Sequence, residues 1–167
     1  MRREDERAYR EYVVGRIDRL RRTAYLLCRD WHTADDLVAI TLLKLYRHWR
    51  RAEAAENLDA YVRGMLARVW LDELRRPWRR EVSVAEIPDR PSANHDRISE
   101  RAALVALLES LPPRQRAIVV LRYYCDLSVA EIAEALGIAP GTVKSQASRG
   151  LELLRAVAPT ETTEEVS

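Results

Sequence analysis

Hydrophobic positions repeat with a helical period almost from the start of the chain. Between Arg7 and Cys28, Tyr9, Val13, Ile17, Leu20, Ala24 and Leu27 step by three or four residues, which gathers them on one face of a helix. The run "DWHTADDLVAITLLKLYRHWRR" restarts the pattern. Thr33 as N-cap and Asp36 three residues on make a capping box there, so the spacing predicts a second helix from about Ala34 to Trp49. Asn57 is placed to cap a third through "LDAYVRGMLARVWLDELRR", and Pro77 must end or kink it, because proline lacks the amide and clashes with the preceding turn.

The stretch "EVSVAEIPDRPSANHDRI" then loses periodicity and mixes prolines with isolated apolar residues, as a connection between folded units does. Past it, "SERAALVALLESL" reads as a helix capped by Ser99, and "PPRQRAIVVLRYYCD" as one opened by paired prolines. "SVAEIAEAL" follows, with Ser128 and Glu131 spaced as a capping box. A last helix begins just after Gly137, with Pro140 in its first turn. The expected fold class is all-α: two small helical domains, residues 1–81 and 99–158, joined by a linker at 82–98. The polar, acidic residues 159–167 are expected to form a disordered tail.

Composition sharpens this picture in two places. The net charge of +2 averages over an acidic tail, "TETTEEVS", and a basic stretch, "RRPWRREV". Of 28 basic residues only Lys44 and Lys144 are lysines, so the cationic chemistry is guanidinium, which grips phosphate bidentately and stacks on bases. Only five glycines leave little material for phosphate loops. Cys28 and Cys125 have neither CxxC spacing nor a histidine neighbour, and His32, His48 and His95 are far apart in sequence. The adjacent Asp35 and Asp36 sit in a capped first turn, where acids favour the helix dipole. No catalytic residue, metal site or cofactor is expected. The start of the chain lacks the apolar core of a signal peptide, and "AALVALL" is far too short to span a bilayer, so a cytoplasmic protein without membrane insertion is expected.

The candidate chemistry lies at the two ends of the molecule. Around Gly137 the chain has the requirements of a tight helix-turn-helix: Ala133 small where helices cross, a glycine for the left-handed turn, and Ile132, Leu136, Ile138 and Val143 as the wedge. An ordinary helical hairpin also wants that glycine, but the second helix carries Thr142, Lys144, Ser145, Gln146, Ser148 and Arg149 on the face left over. Short donors reach base edges and cations suit phosphate or guanine, so this face is equipped for a major groove. Nearer the N-terminus, Arg63, Arg68, Arg75, Arg76, Arg79 and Arg80 interleave with Tyr61, Trp70 and Trp78, the composition of a surface that stacks bases and follows a single strand. A core or hinge role for either tryptophan is the competing reading.

Together the two halves resemble the extracytoplasmic-function (ECF) group of sigma-70 RNA polymerase sigma factors, through "AYLLCRDWHTADDLVAITLLKLYRHW", "NLDAYVRGMLARVWLDELRRPWRRE" and above all "LPPRQRAIVVLRYYCDLSVAEIAEALGIAPGTVKS". The resemblance implies partners: RNA polymerase core, through its clamp helices and flap, promoter DNA, and an anti-sigma factor. It implies that Thr142, Lys144, Ser145, Gln146, Ser148 and Arg149 face the minus-35 groove with Arg114 near phosphate. Asn57, Tyr61, Arg68, Trp70, Arg75, Arg76, Trp78, Arg79 and Arg80 would serve the minus-10 element, and Asp35, Asp36, Leu37, Val38, Leu42 and Leu45 would dock on polymerase. Two departures stand out. Ala39 and Ile40 replace a polar pair common in relatives, and Gln146 stands where many carry arginine, which favours adenine over guanine. Two alternatives use the same sequence differently: a helix-turn-helix regulator that never binds core polymerase, and a sigma-like adaptor that binds protein alone.

Overall fold

The computed structural model describes residues 1–76 and 95–157, with the backbone alone for 95–101. Among the described residues the structure is helical throughout: α1 (Arg3–Cys28), α2 (Trp31–Arg47), α3 (Trp49–Glu53), α4 (Leu58–Leu74), α5 (His95–Glu109), α6 (Pro113–Val119), α7 (Val129–Leu136) and α8 (Pro140–Val157). A π-helical turn at Val120–Tyr124 extends α6.

In α1 the predicted stripe splits into two parts. Leu20, Ala24 and Leu27 are buried, joined by Thr23 and Leu26, whereas Ile17 is 36% exposed. The upstream part is aromatic: Tyr9 meets Tyr46 and Trp49 edge-on at 5.3 and 5.7 Å, and its hydroxyl donates to the Leu42 carbonyl at 2.8 Å. Edge-to-face rings of this kind add to their buried area, so α1 is pinned to the α2–α3 corner along most of its length. Arg16 Nε and the Tyr12 hydroxyl both donate to Asp59 Oδ1 at 3.0 Å, which adds α4 to the same bundle.

Two caps differ from expectation. Thr33 does not cap α2; Asp30 does, accepting from the Thr33 amide at 3.0 Å and the Thr33 hydroxyl at 2.7 Å, so the helix starts at Trp31. The hydroxyl bond holds the Asp30 carboxyl below its ordinary range. A carboxylate is the better acceptor at a helix N-terminus, where the dipole adds to the hydrogen bond. Ser99 lies inside α5, which already begins at His95. Residues 77–94, with most of the expected linker, and 158–167, with the expected tail, lie outside the described residues.

The halves expected to be separate bodies share one apolar core in this structure, running from Leu20 through Leu66 and Trp70 to Leu121, Leu127 and Ile132. Arg116 is the polar tie. Its Nη1 donates to the Leu27 carbonyl at the end of α1 (2.8 Å), and its Nη2 to the carbonyls of Glu109, the last residue of α5, and of Leu111, two residues beyond it (3.1 and 3.2 Å). The Leu27 and Glu109 carbonyls are among the last of their helices, where no intrahelical amide remains for them and the dipole is negative. Arg116 also lies over the Trp70 ring, 5.5 Å from its centroid. Burial pulls its pKa down, but a guanidinium stays charged. Beside it, Arg29 and Glu109 form an ion pair between the end of α1 and the end of α5.

Replacing Arg116 by methionine keeps much of the volume and removes every one of these donors. We expect a loss of about 2–3 kcal/mol in urea-induced unfolding, since charge-assisted bonds to otherwise unserved carbonyls are worth more than average. The exposed Arg7→Ala change should stay within about 0.5 kcal/mol in the same measurement.

Candidate nucleic-acid interface

The C-terminal surface is built from a short amphipathic helix outward. In α7 the Ser128 hydroxyl accepts from the Glu131 amide (3.0 Å) while Glu131 accepts from the Ser128 amide (2.9 Å), the reciprocal bonds expected at that start. Gly137 ends the helix with φ 66°, a left-handed conformation that costs a glycine little. Ile132, Leu136 and Val143 are buried and Ile138 half-buried, so the wedge is as anticipated. On α8, Val143, Ala147 and Gly150 face α6, and a Cβ at Gly150 would stand 2.7 Å from Val119 Cγ2.

With that side committed, the helical period fixes what points outward. Lys144, Ser145, Ser148 and Arg149 are exposed, and Thr142 and Gln146 are half-buried at the edges. Ser145 donates back to the Thr142 carbonyl at 3.1 Å, which fixes its rotamer and leaves its lone pairs outward. Arg114 is exposed in the first turn of α6. Among the described residues no carboxylate stands within ion-pair distance of Arg114, Lys144 or Arg149. Cations without internal partners are available for an external anion.

The second surface is a cleft of about 870 Å³ between the turn before α4, α4 itself and α7. Asn57 and Tyr61 line it, together with Arg68. The Asn57 side chain accepts from the Ala60 amide at 3.1 Å, so it is the helix cap expected of it as well as part of the wall. Lys44 and Arg51 complete the basic lining and were absent from the sequence-derived set. The available signal was Lys44 as one of two lysines, and Arg51 at the edge of the acid-rich "AEAAEN". Arg75 and Arg76 are exposed past the end of α4, Arg76 within 3.4 Å of Glu73.

Trp70 does not line this cleft. It is 4% exposed, in the core beneath Arg116, because its position on α4 faces the other helices. It has no free face here on which a base could stack. Trp78, Arg79 and Arg80 lie outside the described residues.

The third set, on α2, divides by the same rule. Asp35 and Asp36 are exposed, and Asp35 accepts from Arg21 Nε at 2.5 Å. Leu42 is half-buried. Leu37, Val38 and Leu45 are 0%, 3% and 0% exposed: they are the core stripe of α2, so their side chains cannot meet a partner in this state. The outward large apolar residues of α2 are instead Trp31, 36% exposed, Leu43, 53% exposed, and Tyr46, 40% exposed. Among the described residues no group of three or more His, Cys, Asp and Glu could hold a metal, and no helix is long and apolar enough to cross a membrane.

Comparison with known proteins accounts for both ends of the chain. Residues 14–80 match the family sigma-70 region 2, and residues 101–154 match sigma-70, region 4. The chain is 36% identical over 148 residues to the RNA polymerase sigma-E factor of Streptomyces coelicolor, covering 88% of this chain and 84% of that protein. It is 34% identical over 155 residues to the ECF RNA polymerase sigma factor SigE of Mycolicibacterium smegmatis, covering 87% of this chain and 59% of that protein. Among solved structures, the sigma factor RpoE of Bartonella quintana, crystallised with the anti-sigma factor NepR, superposes with a TM-score of 0.68 at 24% identity, over 89% of this chain and 95% of that one. That last likeness speaks to the fold.

The division of α2 gives a direct check. Leu45→Ala should cost about 2–5 kcal/mol in chemical denaturation, as a large-to-small change in a core does, whereas Leu43→Ala should change stability by less than about 0.5 kcal/mol.

Proposed function

Because the chain belongs to the ECF group of the sigma-70 family of RNA polymerase sigma factors, we propose that it directs promoter-specific initiation by binding core polymerase and the minus-10 and minus-35 elements. The observation that carries the DNA half of this reading is the outward face of α8. Thr142, Ser145 and Arg149, at i, i+3 and i+7, form one strip flanked by Lys144 and Ser148, on a helix whose other side is buried. Such a helix enters a major groove with hydroxyls and a guanidinium at base edges and cations at phosphate. Arg114 serves the backbone beside it, and Gln146, at the edge of the face, reads adenine where it reaches a base.

The minus-10 element belongs to the basic cleft beside α4. Flipping a base costs a few kcal/mol, which a snug polar and aromatic pocket offsets. Asn57 and Tyr61 supply that pocket, and Lys44, Arg51 and Arg68 follow the strand. Arg75 and Arg76 continue the basic path; Trp78, Arg79 and Arg80, assigned to the same element by resemblance, lie outside the described residues. Polymerase docks on the exposed side of α2 through Asp35, Asp36 and Leu42, joined by Leu43 and Tyr46. The clamp helices are the partner there and the flap meets the C-terminal half. An anti-sigma factor holds the protein at rest by covering the same surfaces. The protein works where polymerase and DNA are, in the cytoplasm, and makes or breaks no bond itself.

The test is run-off transcription with purified core polymerase on a promoter library. Defined transcripts are expected from the wild type; their absence on every template would overturn the reading and favour a protein-binding adaptor. On a selected promoter, Arg149→Ala should weaken binding by about 1–3 kcal/mol and relax preference at one base position, while Lys144→Ala should lower the salt slope by about one without changing the preferred sequence.

A further inference from the structure

The charged residues around the cleft beside α4 do not neutralise one another. Lys44, Arg51 and Arg68 line it from α2, α3 and α4, while Glu56 lines it from the turn before α4 and Glu131 and Glu134 from α7. Helix α7 comes near because Gly64 has no side chain: a Cβ there would stand 2.5 Å from Ala135 Cβ. Yet among the described residues none of these cations pairs with any of these carboxylates. Lys44 and Arg51 have no carboxylate within ion-pair distance, and Arg68 reaches only Asp72 on its own helix, at 3.5 Å. Glu131 accepts from the Ser128 amide through one oxygen. Glu134 is exposed, and neither of its oxygens is engaged by a described residue.

Opposite charges set around a gap that keeps them from meeting leave their fields for something placed between them. At about 870 Å³ the gap has the size of sites that enclose small molecules. One side suits a flat ring. Tyr61 is half-buried there, and Met65, one turn further along α4, adds a polarisable thioether beside it. The Asn57 side chain uses its oxygen to cap α4, which leaves its amide hydrogens as donors to the cleft. A fitting ligand therefore carries concentrated negative charge, an aromatic ring, and hydrogen-bond donors aimed at a carboxylate.

We propose that this cleft is a binding site for a guanine nucleotide with two or more phosphates. The phosphates meet Lys44, Arg51 and Arg68, which suit them as point charge and as fork. The base stacks on Tyr61. Its N1–H and N2–H, two parallel donors, meet the Glu134 carboxylate. Adenine has an acceptor at N1 where guanine has a donor, so it would turn a lone pair toward that carboxylate and lose both bonds. Inorganic phosphate or pyrophosphate answers the cations and leaves the acids unserved, and an acidic peptide would be repelled by them. Binding asks nothing of the promoter reading, but its consequence rests on that reading. A nucleotide in this cleft fills the place of the minus-10 strand, so its concentration sets how much of the protein can open a promoter.

The experiment titrates the full chain into GDP labelled on its ribose with a methylanthraniloyl fluorophore, at about 0.15 M salt, where distant exposed charges are screened. Unlabelled GDP, ADP and pyrophosphate are the competitors. Saturable binding is expected with a dissociation constant of about 100 μM or tighter, and GDP should displace the probe at least about fivefold better than ADP. Glu134→Gln keeps the shape and replaces the carboxylate by an amide, which suits adenine. It should bring GDP and ADP together and leave competition by pyrophosphate as it was. Arg51→Gln should weaken both nucleotides and pyrophosphate several-fold. Both variants sit at exposed positions and should keep wild-type helicity by circular dichroism. In run-off transcription, GDP should suppress transcripts from the wild type at lower concentration than from Glu134→Gln. No saturable binding would overturn the site, and so would binding that ADP and pyrophosphate share equally and that Glu134→Gln leaves unchanged. Selective binding with equal suppression of both proteins would overturn its effect on initiation. Selective binding by a chain that starts no transcript on any template would strike the promoter reading and uphold the site.

Discussion

The arrangement of the whole molecule depends on one guanidinium. Arg116 sits where the last carbonyls of α1 and α5 converge, and each of those helices ends there without amides of its own to serve them. Two negative dipole ends pointing at one another would repel, and a cation between them turns that repulsion into the joint of the structure. The Trp70 ring beneath gives the same cation a second, electron-rich contact. The apolar core can then run unbroken from α1 to α7 on the far side of this joint. Its Nε makes no bond, so the site is well rather than fully satisfied.

Most of the fold was legible because helical sequences announce themselves. The steps of three and four residues, Asn57 as cap, the Ser128–Glu131 box and Gly137 each placed an element correctly, since all are local rules acting within a turn or two. Thr33 and Asp30 both qualify by residue type as the cap of α2, and only the geometry chooses Asp30. What stayed hidden was long range. Arg116 is one arginine among many in the sequence, and nothing local marks it as the residue that reaches across the fold to Leu27. Gly64 likewise looks like a weak point in a helix until Ala135 is found against it.

The functional surfaces divide on the same principle. On α8 the outward face could be read from sequence because the buried side is defined by small and apolar residues at regular spacing, and what remains must face solvent. On α2 the docking roles rest on resemblance alone, and for Trp70 on α4 the core role is the competing reading that its burial favours. Leu37, Val38, Leu45 and Trp70 belong to helices that are apolar on more than one side, so pattern alone does not say which side finds the core. Roles carried over by resemblance then attached to side chains that are interior here. The correction leaves the proposed surfaces in place and changes who stands on them: Leu43 and Tyr46 on α2, Lys44 and Arg51 beside Asn57.

These observations bear on why such a protein can afford two weak DNA modules. A tether between modules multiplies their grip only when both can engage at once. The small residues where α4 crosses α7 let these helices touch without interlocking large side chains, so the contact is tight in distance and light in energy.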